Sequence, residues 1–127
     1  MRTEPVDITR KFVEALNKKF EGIYTPAGPI EFSAEPVVRQ PGRNRGQTFD
    51  KIVLPNLGGS PDGSGAHAFI NRENGKLYRA ASKDLPVDDV RYDLSKPEDF
   101  TLAVELADPY GNYLRRNYVR KAYAGAI

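Results

Sequence analysis

The chain has 127 residues, of which 39% are hydrophobic and 28% charged, a length and balance that fit one soluble domain and exclude wholesale disorder. It has no cysteine, which excludes a disulfide scaffold, a thiolate nucleophile, an iron-sulfur cluster and a cysteine zinc site. Lys+Arg 19 against Asp+Glu 17 leaves a formal charge of +2, too little for the overall field to attract polyanions, so any nucleic-acid contact must come from local clustering.

No run approaches the roughly 20 apolar residues of a membrane-spanning helix, and Met1-Arg2-Thr3-Glu4-Pro5 lacks the apolar core of a secretory leader. These features predict a soluble cytoplasmic protein with no membrane partner.

Residues 6–21 carry Ile8, Phe12, Leu16 and Phe20 at four-residue intervals, with Val13 widening the stripe, the pattern of an amphipathic helix. Asp7 is the expected N-cap and Gly22 the expected terminating glycine. Arg10, Lys11, Lys18 and Lys19 fall off the stripe, on a face expected to be solvated and interrupted by Glu14 and Glu21.

Pro26, Pro29, Pro36 and Pro41 then block helix and confine pairing to short or edge strands. Residues 30–34 alternate as a strand, residues 36–39 form a candidate second piece, and residues 48–54 read as a strand ended by Pro55. Pro41-Gly42-Arg43-Asn44-Arg45-Gly46 is a turn; its arginines fit either a charged hairpin tip or an anion-contacting loop. Residues 56–65 are glycine-rich but lack the Gly-Lys-Ser/Thr ending of a phosphate loop, which argues against nucleotide hydrolysis.

Residues 66–71 and 77–81 flank Asn74-Gly75 and predict a hairpin. A three-residue bulged loop with Gly75 left-handed pairs Arg72 with Lys76, Ile70 with Tyr78 and Ala68 with Ala80; a two-residue turn would set Ile70 against Arg79. The bulged register is preferred, with Phe69 and Leu77 sharing the other face.

The single histidine, His67, stands at the start of this hairpin, where it reads as a hydrogen-bonded structural residue. The competing enzymatic reading needs Asp84 or Asp88 beside it in a concave pocket. Lys83-Asp84-Leu85-Pro86-Val87-Asp88-Asp89 reads as an exposed turn, too poor in spaced oxygen ligands for calcium or magnesium. Ser95-Lys96-Pro97-Glu98-Asp99 carries helix-start signals ahead of Phe100, Leu102, Val104 and Leu106, whose alternation equally fits a strand. Asp108-Pro109-Tyr110-Gly111-Asn112 is a turn.

The compositional anomaly is the tail from residue 110. Tyr110, Tyr113, Tyr118 and Tyr123 interleave with Arg115, Arg116, Arg120 and Lys121, and no acid follows Asp108. Tyrosine rings stack on unpaired bases while cations neutralise phosphates, a combination suited to single-stranded nucleic acid. The same residues also suit a terminal element covering the core, or a surface that docks on another protein.

Gly42-Arg43, Phe49-Asp50-Lys51-Ile52-Val53, His67-Ala68-Phe69-Ile70, Asn74-Gly75-Lys76-Leu77-Tyr78-Arg79-Ala80-Ala81-Ser82, Pro86, Arg91-Tyr92-Asp93-Leu94 and Tyr113-Leu114 together resemble a widespread group of small bacteriophage proteins. The resemblance spans most of residues 39–114. Its members typically show a Gly-Arg-x-aromatic strand, a His-Ala-Phe strand, a hairpin and a Trp-Lys-x-Pro-Ala-Lys segment. The chain departs from the last with Lys83-Asp84-Leu85-Pro86-Val87-Asp88, which loses the aromatic and gains acids. The resemblance implies phage origin and a shared sheet, and confers no mechanism.

The expected fold is a single α+β domain over residues 1–127: an amphipathic N-terminal helix on a curved antiparallel sheet of three to five strands, a second short helix at residues 97–107, and a basic tail at 110–127. The expected function is a non-enzymatic phage accessory role in the host cytoplasm. It would bind single-stranded nucleic acid, or a host nucleic-acid-handling complex, through Arg43, Arg45, Tyr110, Tyr113, Arg115, Arg116, Tyr118, Arg120 and Lys121. No metal or cofactor is expected. The alternative is a virion structural or assembly component.

Overall fold

The structure, a computed structural model, describes residues 6–25, 28–37, 48–54, 65–82 and 85–115. Helix α1 spans Asp7–Lys19 and buries Thr9, Phe12 and Leu16, with Phe20 just beyond its end. The four-residue stripe is therefore its packed face. Asp7 is the first helical residue and not the cap: Val6 holds that position without a side-chain bond, and Asp7 pairs with Arg10 one turn on. The Val6 N–H is satisfied from the sheet, donating to Asp50 Oδ2 at 2.9 Å. Gly22 takes φ +79°, the left-handed conformation expected after a helix end.

A two-residue ladder pairs β1 (Tyr24–Thr25) with β2 (Gly28–Pro29). The main sheet has five antiparallel strands in chain order: β3 (Ser33–Val37), β4 (Phe49–Val53), β5 (Ala66–Asn71), β6 (Lys76–Ser82) and β7 (Leu85–Asp93). Helix α2 (Pro97–Leu106) and one 3₁₀ turn (Asn112–Leu114) follow. The protein is thus a small α+β fold with, among the described residues, one helix before the sheet and a short one after it.

Three local expectations are corrected. Residues 30–32 are not strand: Ile30 and Phe32 are buried ahead of β3, and the Asn17 side chain clamps the Phe32 backbone through bonds of 2.7 and 3.0 Å. The two strand pieces merge across Pro36, which an edge strand tolerates because one side of its backbone needs no partner. Asp88 and Asp89 lie within β7, the longest strand, and not in an exposed turn. Bulges against β6 and acids on an edge blunt unwanted pairing, and they also erase the alternation by which a strand is read.

The hairpin forms with Gly75 at φ +73°, but its loop holds four residues. Ile70 faces Leu77, Phe69 faces Tyr78 and Ala68 faces Arg79. The Gly75 N–H donates to the Asn71 carbonyl at 2.9 Å, while Asn71 Oδ1 and Asn74 Oδ1 accept from the N–H groups of Glu73 and Lys76. This register divides the apolar residues cleanly. Ile70 and Leu77 join the helix-side core, whereas Phe69 and Tyr78 join Phe49, Ala66 and Ala80 in a separate cluster on the other face. Phe69 and Leu77 are therefore on opposite faces.

Pro97 occupies the first turn of α2, and Glu98 and Asp99 favour its positive end. Ser95 does not cap it; its hydroxyl donates to Asp93 Oδ1 at 2.5 Å, and Asp99 Oδ2 accepts the Asp93 N–H at 2.9 Å. Phe100 meets Phe12 edge-on at 5.8 Å. At the other end Lys19 is exposed, as expected of that face, yet it is engaged. Its Nζ donates to the carbonyls of Val104, Glu105 and Ala107 at 2.7–2.8 Å, where a cation complements the helix terminus. No helix among the described residues is long and apolar enough to cross a membrane.

Candidate nucleic-acid interface

Asp108 organises the approach to the basic tail. Its Oδ2 accepts the Tyr110 N–H at 3.1 Å and its Oδ1 the Tyr113 N–H at 2.9 Å, while Gly111 turns the chain at φ +78°. Tyr110 is left 54% exposed. Tyr113 is driven into the core at 0% exposure, with Leu114 beside it.

The Tyr113 hydroxyl lies 2.7 Å from His67 Nε2. His67 reaches it because a bulge in β5 sets Ala68 opposite Ile52 and Ala66 opposite Val53, leaving His67 as the extra residue. Such a bulge re-aims a side chain, and the imidazole turns onto the helix-side face beside Phe32, 4.9 Å away, and Tyr113, 5.5 Å away. His67 is 1% exposed, and Nδ1 has no well-formed hydrogen bond. Burial lowers its pKa to about 4, against the opposing pull of Asp108 and the Pro109 backbone. Burial likewise pushes the Tyr113 hydroxyl well above its ordinary value.

A second bulge, in β7, sets Tyr92 opposite Leu77 and Val90 opposite Tyr78, so that Arg91 is the extra residue. The Tyr92 hydroxyl donates to the Tyr113 carbonyl at 3.0 Å, and Arg91 Nε donates to the Leu114 carbonyl at 2.6 Å. Successive carbonyls are thus held by successive residues of one strand. Arg91 also donates to the Asp89 carbonyl at 3.2 Å. Its pKa is lowered first by burial and then by the charge of Arg79.

Of the residues expected to bind nucleic acid, Tyr110 and Arg115 are exposed at this docked end. Tyr113 is not available to stack on a base: its ring is sealed between His67 and Tyr92. Arg43, Arg45, Arg116, Tyr118, Arg120 and Lys121 lie outside the described residues. The structural reading of His67 agrees with its buried hydrogen bond, and a substrate in solvent has no route to an imidazole 1% exposed. Asp84 and the Asp88 side chain lie outside the described set. A shallow depression of about 440 Å³, lined by Asn17, Lys18, Glu21, Ile30, Glu31 and Phe32, contains none of the expected residues.

Sequence reasoning named Arg79 and Arg91 only within the hairpin and the resemblance and gave neither a place beside the tail. Arg79 had a readable signal, since it lies two residues beyond Leu77 and hence in phase with the core face of β6. Arg91 had none, because the bulge that turns it inward breaks that phase.

No curated protein and no solved structure matches the chain. A match over residues 7–116, running from the first residue of α1 past the 3₁₀ turn, shows that the chain belongs to DUF7717, a family of unknown function.

Proposed function

We propose that the protein is a non-enzymatic bacteriophage accessory protein that binds single-stranded nucleic acid with its C-terminal end. The observation that supports this most is the anchor itself. Residues 113 and 114 are fixed by a buried tyrosine and two held carbonyls, so that exposed Arg115 emerges from a defined point near exposed Tyr110. In sequence, Arg116, Tyr118, Arg120 and Lys121 follow directly. A rigid attachment lowers the ordering cost of the first contacts, while tyrosines and cations supply stacking and phosphate neutralisation. The phage assignment rests on the resemblance of the strand and hairpin motifs.

Fluorescence anisotropy with labelled oligo(dT) and oligo(U), repeated across a salt series, tests the reading. Binding should weaken linearly on a log-log scale with salt, and replacing Arg115, Arg116, Arg120 and Lys121 by Gln should flatten the slope by about 0.7 per lost phosphate contact. Binding unchanged by those replacements rejects the site. No binding to either polymer rejects the function, and stoichiometric recovery of the protein from purified virions would favour an assembly role in its place.

A further inference from the structure

We propose that Arg79 and Arg91, with Arg115 following the carbonyl that Arg91 holds, form a phosphate-binding site at the Tyr113 end of the helix-side sheet face, taking a phosphodiester of the bound strand. The proposal deepens the nucleic-acid reading by placing a phosphate contact on the sheet, upstream of the tail.

The register brings the two side chains together. Arg79 lies between Tyr78, which faces Val90, and Ala80, which faces Pro86, so it sits diagonally across from the Arg91 bulge. On its other side it faces Ala68, which is fully buried. Tyr78 and Ala80 belong to the outer cluster, which leaves Arg79 on the same face as Leu77 and the Tyr113 anchor. Arg115 follows the carbonyl that Arg91 holds.

Among the described residues the half-buried Arg79 side chain makes no hydrogen bond and no ion pair. Arg91 has Asp89 only at 3.9 Å, with that carboxylate side chain 47% exposed. Arg91 is held by the Leu114 and Asp89 carbonyls, which carry no full charge, so the two guanidinium groups still repel one another, and the lowered pKa of Arg91 reflects this after burial. A phosphate between them reverses the sign of the interaction and accepts the charge-assisted bonds that Arg79 lacks. The competing account is that Arg79 only lays its aliphatic stem over Ala68.

Arg79→Met separates these accounts, because it keeps the stem and removes the charge. Arginine Nε signals of the labelled protein, followed by NMR during titration with inorganic phosphate, should move for Arg79 and Arg91 in the wild type, and the Arg91 shift should disappear in R79M. With oligo(dT), R79M should bind about threefold to tenfold more weakly and lose about 0.7 from the salt slope. Wild-type affinity and slope in R79M would overturn the site while leaving the tail reading intact. If the wild type binds no oligonucleotide, the proposed function fails and the phosphate titration decides alone: shifts lost in R79M sustain the site, and unmoved signals overturn it.

Discussion

The helix-side face of the sheet is closed in two different ways along its length. At one end α1 and α2 cover it with Phe12, Leu16 and Phe100, side chains that need only the right volume. At the other end it is closed by Tyr113, whose hydroxyl and carbonyl, like the Leu114 carbonyl, each require a particular partner. Apolar contact is non-directional, whereas a buried hydrogen bond is costly when one partner is lost. The first end therefore supplies bulk stability, and the second fixes the position and direction of the chain that leaves it.

The largest effect should come from the apolar end. Phe12→Ala empties a fully buried site and removes the edge contact with Phe100, so it should cost about 3–5 kcal/mol in chemical denaturation. The same change should leave the pH dependence of stability nearly untouched.

Acid should act on the other end. Folded His67 titrates at about 4, below its ordinary value of 6.5, so the unfolded chain binds more protons between those values. The contribution is complete above about pH 6.5 and is lost progressively as pH falls toward 4, by about 3 kcal/mol at most. Denaturation curves for the wild type and H67Q between pH 7 and 4 should converge as the pH drops; parallel curves would contradict an imidazole buried in its neutral form.

Tyr113→Phe keeps the ring and removes the hydroxyl, leaving Nε2 of a buried imidazole without its partner, beside an Nδ1 that has no well-formed hydrogen bond. A loss of about 1–3 kcal/mol is expected, and phosphorescent or fluorescent probes placed at residue 115 should report a looser attachment. The smallest effect belongs to Lys19→Met. It removes the cation from three carbonyls at the α2 terminus and should cost about 0.3–1 kcal/mol, most clearly at low salt.

The two ends also differ in how legible they were. Helix α1 could be read from Phe12, Leu16 and Phe20 because its burial follows a single period. Helix α2 was ambiguous because Phe100, Leu102, Val104 and Leu106 are all partly buried around Ala103, which blurs the helical stripe into an alternation. The hairpin was found from Asn74-Gly75, yet its register was set by side-chain acceptors on Asn71 and Asn74 that lengthen the loop by one residue. The anchor was illegible for a different reason. His67 and Tyr113 are 46 residues apart, and the bulges that aim His67 and Arg91 inward are the positions where strand alternation fails. The tail drew attention through its composition, but composition does not separate a tyrosine that plugs the core from one that faces solvent.

The main sheet is a meander in which every strand neighbours the one made just before it. Its pairings can consequently be assembled hairpin by hairpin with short loop closures as the polypeptide leaves the ribosome. The helix-side face obeys a different schedule: α1 emerges first, but Phe100 and Tyr113 must be synthesised before that face is fully shielded. During translation the nascent chain therefore carries a finished ladder whose greasy surface α1 covers only in part, a stage at which it is most exposed to chaperones and to self-association.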